Sequence, residues 1–326
     1  MAAAPVSALR TADPPPNRGR FAFAQGRYGV RGNLELLLCD EDDGLWVLWF
    51  NSDPEDTEPE PGGPPPGEWS GALRFGTGRR YDGVHVVQSL HGPHHLEVLA
   101  HAASSPHRLR WSPEAAFTTE DAPPTGAVSS ATIAETSDGT LWLAAVTEDG
   151  ALKLLRADAA AYPRLSWSEA TPPVSLAGHR WSDVVLLPVP GAVRPGVAVL
   201  ASDRTVYAGP DGRCHVLPAA RTVAVAAPGG EERLYLWTGG CALEVVRPGR
   251  PEEDRRLALP GSNEVTAVAA TAIAYAGGRV DLVVRRDGRL WHLKDPGPAG
   301  EVSAAPLVSR LTRTASGPQA PVHRVS

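Results

Sequence analysis

Residues 128–170 read VSSATIAETSDGTLWLAAVTEDGALKLLRADAAAYPRLSWSEA, and this stretch sets the pattern that the rest of the chain repeats. Short runs alternate apolar and polar residues, and the turns Asp138-Gly139 and Asp149-Gly150 separate them. Asp-Gly supplies the positive φ angles that a tight hairpin turn requires. The stretch is therefore predicted to form four antiparallel strands. One such meander cannot bury both of its faces, so several copies are expected to stack.

A related pentapeptide recurs six times along the chain. Its copies end at Gln25, Gln88, Glu135, Val189, Ala227 and Tyr275. Each copy is followed by a turn and two further apolar runs, and helical periodicity is nearly absent. We therefore predict an all-β fold, a single β-propeller with six blades of four antiparallel strands. The alternative is seven blades, the last of which the two termini close together.

The repeats also suggest the domain organisation. Residues 1–20 are predicted to form an N-terminal segment, with a closing strand as one option, residues 21–313 the propeller, and residues 314–326 a flexible C-terminal tail. An acidic, proline-rich loop over residues 53–67 lengthens the first repeat, and such a composition cannot pack into a core. This loop is the local hint of a protein partner, with a solvated insertion as the simpler interpretation.

Composition restricts the classes of function. The net charge of -6 and the lack of a basic stripe argue against a nucleic-acid partner. No apolar run is long enough to span a membrane, and no secretory signal is evident. The three cysteines, Cys39, Cys214 and Cys241, are far apart in predicted strands and are expected to be small core residues. We therefore predict a cytoplasmic protein without a membrane partner.

Several motifs match a known family. Leu34-Glu35, Asp43-Gly44-Leu45-Trp46 and Trp69-Ser70 repeat features of the stretch from Asp138 to Ser168. These units resemble the repeats of bacterial PLL-like and tachylectin-like propeller lectins, and the resemblance covers about two thirds of the chain. It implies a propeller that binds a glycan. The blades differ from one another, however, and the fourth and fifth lack the closing Trp-Ser, which favours one axial site over several equivalent sites at the rim.

In propellers of this kind the ligand is expected at a mouth on the axis, and both ends of the innermost strands carry candidates. The ligand-binding candidates before these strands are Arg20, Tyr81, Asp82, His179, Trp181, Asp183, Arg221 and Glu264. The candidates at the opposite strand ends are Gln25, Gln88 and Tyr275, with Glu135 at the equivalent position. Mixed charges and aromatic rings around one opening suit a small polar molecule with an apolar face. Ordinary solvated loop residues are the alternative interpretation.

Catalysis is the second hypothesis. Glu135, Asp82 or Asp183 would act as acid or base in a cofactor-free cyclisation, condensation or hydrolysis, because partial burial can raise the pKa of a carboxyl group. Six of the ten histidines lie between His85 and His107, but no carboxylate or cysteine is spaced to complete a metal set. Nucleotide-binding and nucleophile-elbow signatures are also missing from the sequence. We therefore predict no metal and no cofactor.

These observations favour a non-catalytic, lectin-like propeller that binds a small polar molecule or glycan at its axial mouth. The biosynthetic enzyme and a protein-interaction scaffold are the alternatives. The sequence does not decide the oligomeric state.

Overall fold

The computed structural model describes residues 11–26, 32–52, 63–92, 94–158, 160, 162–259, 265–273, 278–297 and 300–310. These residues form six sheets, one for each blade, and no seventh, so the predicted six-bladed propeller is confirmed. Three 3-10 helices, Val174–Leu176, Pro228–Gly230 and Pro251–Glu253, lie in loops of the described part. No helix among the described residues has the length and apolar character that crossing a membrane requires.

Each blade follows the chain from its innermost to its outermost strand, as the hairpin turns predict. After β1 (Thr11–Ala12), the strands of blades 1 to 3 are β2 (Asn17–Gln25), β3 (Leu34–Asp40), β4 (Leu45–Phe50), β5 (Trp69–Gly71), β6 (Leu73–Phe75); β7 (Gly83–Gln88), β8 (Leu96–Ala102), β9 (Ser105–Ser112), β10 (Ala116–Glu120); and β11 (Val128–Glu135), β12 (Leu141–Thr147), β13 (Leu152–Ala157), β14 (Trp167–Ala170).

Blades 4 to 6 have the same order. Their strands are β15 (Asp183–Leu187), β16 (Gly196–Leu200), β17 (Thr205–Ala208), β18 (Cys214–Leu217); β19 (Thr222–Ala226), β20 (Arg233–Trp237), β21 (Ala242–Val246), β22 (Arg255–Ala258); and β23 (Val265–Ala272), β24 (Val280–Arg286), β25 (Arg289–Asp295), β26 (Ser303–Pro306), followed by β27 (Ser309–Arg310). The outer strands β10 and β18 were not anticipated from the sequence.

The terminal strands lie at the outer edge of blade 1. β27 pairs with β1 in antiparallel fashion and with β5 in parallel fashion. Blade 6 keeps four strands of its own, so the ring closes by packing β23 against β2 and not by exchange of a strand. Residues 17–20 belong to the innermost strand of blade 1. Residues 1–10, 53–62 and the predicted tail 314–326 lie outside the described residues.

The core consists of six apolar clusters, and each lies between two adjacent blades. Leu37 and Val47 of blade 1, for example, pack against Val84 and Val98 of blade 2. Cys39 belongs to this cluster, as predicted for a small core residue. Cys214 and Cys241 are exposed, which corrects the expectation for them. The reason is that Cys214 opens an outermost strand and Cys241 precedes a strand in a turn.

Candidate functional site

The six innermost strands surround a cavity of about 630 Å³ on the axis of the ring. Most of its lining residues are Ala, Val, Leu or Ile, because the inner strands converge where large side chains would not fit. The charged and amide side chains that line it are Arg20, Gln25, Gln88, Glu135 and Arg221. A volume of this size lies within the range of small-molecule sites, roughly 300 to 1,000 Å³.

At the end of the cavity where the inner strands begin, an ion pair crosses the axis. Arg20 of blade 1 contacts the carboxylate of Asp183 on blade 4, the opposite blade of the ring. Ser130 of blade 3 donates a hydrogen bond of 2.6 Å to the same carboxylate, as does the Val184 N–H at 2.8 Å. The Asp183 side chain is only 5% exposed. This bridge spans the axis at what we call the Arg20 end.

Two imidazoles border this bridge. The Nδ1 atom of His85 lies 3.3 Å from the hydroxyl of Thr132, and His85 lines the cavity. Burial, followed by the positive charge of Arg20, lowers the pKa of His85 to about 3. Burial and Arg20 also lower the pKa of His101. Both rings are therefore neutral at pH 7, and the charge of the Arg20 end resides mainly in the ion pair.

Asp82 lies beside this end but is not among the lining residues. Its carboxylate accepts from Arg18 at 2.7 Å and from the Ala103 N–H at 2.9 Å. Its carbonyl oxygen lies so close to Gly19 that a Cβ at that position would overlap it, and Gly19 has a φ of 59°. Glycine is therefore required where blades 1 and 2 meet.

The aromatic candidates do not line the cavity, which corrects the expectation that they meet at its mouth. Tyr81 and Trp181 are 5% and 4% exposed and pack into the cores between blades. Trp181 donates its indole N–H to the carbonyl of Leu176 at 3.0 Å. His179 is exposed and packs edge-on against Trp181 at 5.6 Å between ring centroids. Large rings just before an inner strand are thus used for packing.

Arg221 does line the cavity. Its guanidinium lies 5.3 Å from the centroid of the Trp237 ring, within the range of a cation–π contact. Glu264 and Tyr275 lie outside the described residues.

At the other end of the cavity, which we call the Glu135 end, polar side chains hold the loop between β7 and β8. Gln88 donates through Nε2 to the carbonyl oxygens of Ser89, Gly92 and His95 at 2.8 to 3.2 Å. Glu135 accepts from the Leu90 N–H at 3.0 and 3.2 Å. The main-chain N–H of Gln25 donates to Thr271 at 3.0 Å. Glu135 thus joins blades 2 and 3 while remaining part of the cavity wall.

The three carboxylates considered for catalysis are not brought together. Asp183 is level with Ser130, and Glu135 lies five positions further along β11, a distance of about 16 Å at roughly 3.3 Å per residue. Paired catalytic carboxylates, as in glycosidases, lie about 5 to 9.5 Å apart. Asp82 and Asp183 are also each occupied by an arginine. A two-carboxylate mechanism therefore does not fit this geometry.

The histidines between His85 and His107 are distributed over both ends of blade 2. His91 stacks on Tyr162 with 4.2 Å between ring centroids, and His107 contacts Arg79. In the part of the chain that the structure describes, no three side chains of His, Cys, Asp or Glu are grouped so that they could hold a metal ion.

Ser130, His85 and Thr132 were not among the predicted site residues. Counting residues back from the end of the pentapeptide places the residue before Ser130 at the mouth of the cavity. An error of one position in the strand register therefore kept Ser130 out of the predicted site. His85 stood out in the sequence only as one member of a histidine-rich stretch. Their contacts depend on blades 1 to 4 closing around the axis, and no local signal reports that closure.

Comparison with known proteins shows the fold and no family. No family model matches the chain, and no curated protein matches it. A lectin of Aleuria aurantia solved with Fucα1-6GlcNAc is similar at a TM-score of 0.61 and 10% identity, over 93% of this chain and 100% of that one. Lectins are thus among the solved structures that share this fold.

Two further lectin structures are similar. SapL1 in complex with α-methyl fucoside has a TM-score of 0.58 and 10% identity, over 92% of this chain and 98% of that chain. BP39L from Burkholderia pseudomallei has a TM-score of 0.52 and 16% identity, over 90% and 84% of the two chains. At these identities the likeness is one of fold.

Proposed function

We propose that this protein binds one small polar molecule, a sugar or short glycan, in its axial cavity without chemical conversion. The observation that carries the proposal is a cavity of about 630 Å³ that is bridged at one end by Arg20 and Asp183. Pro188 and Pro190 line the cavity and are exposed, so it reaches solvent at the Glu135 end. The ligand enters there.

The lining suits a sugar. Aliphatic walls from Val86, Val185 and Val225 can pack against the C–H face of a pyranose ring. Glu135, Gln25 and Gln88 lie at the open end, where carboxylate and amide groups can bind hydroxyl groups. The similarity to lectins solved with fucosides supports the same ligand class.

One ligand per chain follows from the asymmetry of the ring. The inner strands of blades 1 to 3 end in Gln25, Gln88 and Glu135, whereas those of blades 4 and 5 end in Leu187 and Ala226. The set of strand ends therefore has no rotational symmetry about the axis. The polar side of the open end therefore belongs to blades 1 to 3, and a ligand has one preferred orientation.

Isothermal titration calorimetry against a panel of monosaccharides that includes α-methyl fucoside tests the proposal. We expect saturable binding with one site per chain, which Glu135→Gln weakens by about tenfold through loss of a charged acceptor, about 1.4 kcal/mol. Glu244→Gln is the control, because Glu244 pairs with Arg256 at 3.0 Å outside the cavity. Equal weakening by both substitutions, or no binding across a broad glycan array, would contradict the proposal.

The catalytic hypothesis now depends on Glu135, which is the only one of the three carboxylates in the cavity wall. The titration separates the two hypotheses, because mass spectrometry of the recovered ligand detects any conversion. Unchanged ligand with wild-type protein supports binding alone. Conversion that Glu135→Gln abolishes supports the enzyme.

Two further predictions from the sequence are part of this proposal, one on the location of the protein and one on a protein partner. A cytoplasmic location is consistent with three cysteines that form no disulfide. If the loop over residues 53–67 binds a protein partner, deletion of the loop should abolish that binding. Residues 53–62 of this loop lie outside the described part of the chain.

A further inference from the structure

A second group of charged side chains lies at the Glu135 end of blade 5, next to the cavity and separate from it. Glu231 contacts three arginines there: its Oε2 lies 3.5 Å from Arg233 and 3.6 Å from Arg247, and its Oε1 lies 3.3 Å from Arg250. Gly229, two residues earlier, lines the cavity rim. We call Arg233, Arg247 and Arg250 the blade 5 arginine cluster.

Two of these arginines are buried without complete hydrogen bonding. The side chains of Arg233 and Arg247 are 3% and 6% exposed. The Nε atom of Arg233 and the Nε and Nη2 atoms of Arg247 have no hydrogen-bond partner. Nearly all buried polar groups in proteins are hydrogen-bonded, and an unpaired one next to a charge is costly. The cluster therefore has more donors than its own acceptors satisfy.

The acceptors present in the cluster are few. Arg233 donates to the carbonyl of Gly278 at 2.7 Å, and Glu253 contacts both Arg247 and Arg250. Asp254 accepts only from the main-chain N–H of Arg247, at 2.8 Å. The Nε–Nη2 edge of Arg247 is the edge that binds carboxylate and phosphate groups in a bidentate manner, and it stays unmatched.

We propose that the blade 5 arginine cluster is an anion site and that Glu231 occupies the place of a carboxylate or phosphate group of a ligand. Glu231 is 41% exposed and follows Gly229 and Gly230, whose φ angles are 62° and 88°. Its side chain can therefore move into solvent without loss of core packing. A phosphate has four oxygens where Glu231 offers two, so it can accept from more of the arginine donors than Glu231 does.

Titration calorimetry with inorganic phosphate at low ionic strength tests this inference. Glu231→Gln removes the competing charge, and we expect it to bind phosphate at least about tenfold more tightly than the wild type. Adding Arg250→Gln to that variant should reverse the gain, and Arg250 is 56% exposed, so the fold tolerates its replacement. Thermal unfolding checks that each variant is folded.

The control is the pair of half-buried Glu244 and exposed Arg256 on the same blade. Glu244→Gln should leave the affinity for phosphate unchanged. If it increases the affinity as much as Glu231→Gln does, or if Glu231→Gln has no effect, the inference is overturned. Glu135→Gln should bind phosphate like the wild type, so that the outcome for the cluster is independent of the outcome for the cavity.

Discussion

Replacing Asp183 by asparagine tests the ion pair across the axis. The substitution keeps an oxygen for Ser130 and the Val184 N–H but removes the charge that Arg20 contacts. Breaking a fully buried ion pair costs about 3 to 5 kcal/mol, and breaking an exposed one costs about 0 to 1 kcal/mol. The Asp183 side chain is 5% exposed and that of Arg20 is 35% exposed, so the pair lies between these limits. We expect a loss of about 2 kcal/mol.

The expected shift in melting temperature follows from the size of the chain. Unfolding entropy is about 2.1 cal/mol/K per residue, or roughly 0.7 kcal/mol/K for 326 residues. A loss of about 2 kcal/mol therefore lowers Tm by about 3 °C in differential scanning calorimetry. The matched control is Asp82→Asn, which breaks the pair with Arg18, whose side chains are 40% and 30% exposed. That change should lower Tm by less than about 1.5 °C.

The prediction is tested by comparing the Tm shifts of the two variants. Equal shifts for Asp183→Asn and Asp82→Asn, or no shift for either, would refute the argument that the pair across the axis is the stronger of the two.

Three further predictions concern stability. His85 has a pKa of about 3 when folded and 6.5 when unfolded, so its contribution is complete well above pH 6.5 and is lost as pH falls from there toward 3; urea unfolding at pH 6.5 and 5.5 should show the wild type losing about 1 kcal/mol more than His85→Gln. Gly196→Ala should cost about 1 to 3 kcal/mol, because its Cβ would overlap the Tyr207 hydroxyl, and adding Tyr207→Phe should recover part of that loss in the same assay. Tyr235→Phe removes a hydrogen bond of 2.8 Å to the fully buried Asp295 and should lower the free energy of unfolding by about 2 kcal/mol.

The fold was predictable because its signals are local. In the turns at Asp138-Gly139 and Asp149-Gly150 the glycines have positive φ angles of 81° and 87°, and the alternating runs beside them are strands β11 to β13. The outer strand β18 was missed because its exposed residues, including Val216 at 74%, show no apolar alternation. An outermost strand pairs with a neighbouring strand on one side only, so its sequence is less constrained than that of an inner strand.

The candidate site was predictable only in part. Arg20, Arg221 and Glu135 line the cavity, because a residue near the start or end of an inner strand of a propeller lies near the axis. The partnership of Arg20 with Asp183 spans 163 positions and depends on the closure of the ring. Trp181 could have faced either the axis or a blade interface, and the apolar cluster of blades 3 and 4 decides for the interface. Such choices are made by tertiary packing.

The most direct test of the central claim is to fill the cavity. Ala24 is half-buried and lines it, so Ala24→Trp places an indole inside, whereas Ala304→Trp adds the same ring to an exposed outer strand. Titration of a glycan-array hit should give one site per chain for the wild type and Ala304→Trp, and no measurable binding for Ala24→Trp. Several sites per chain, or binding that survives Ala24→Trp in a folded variant, would contradict an axial ligand site.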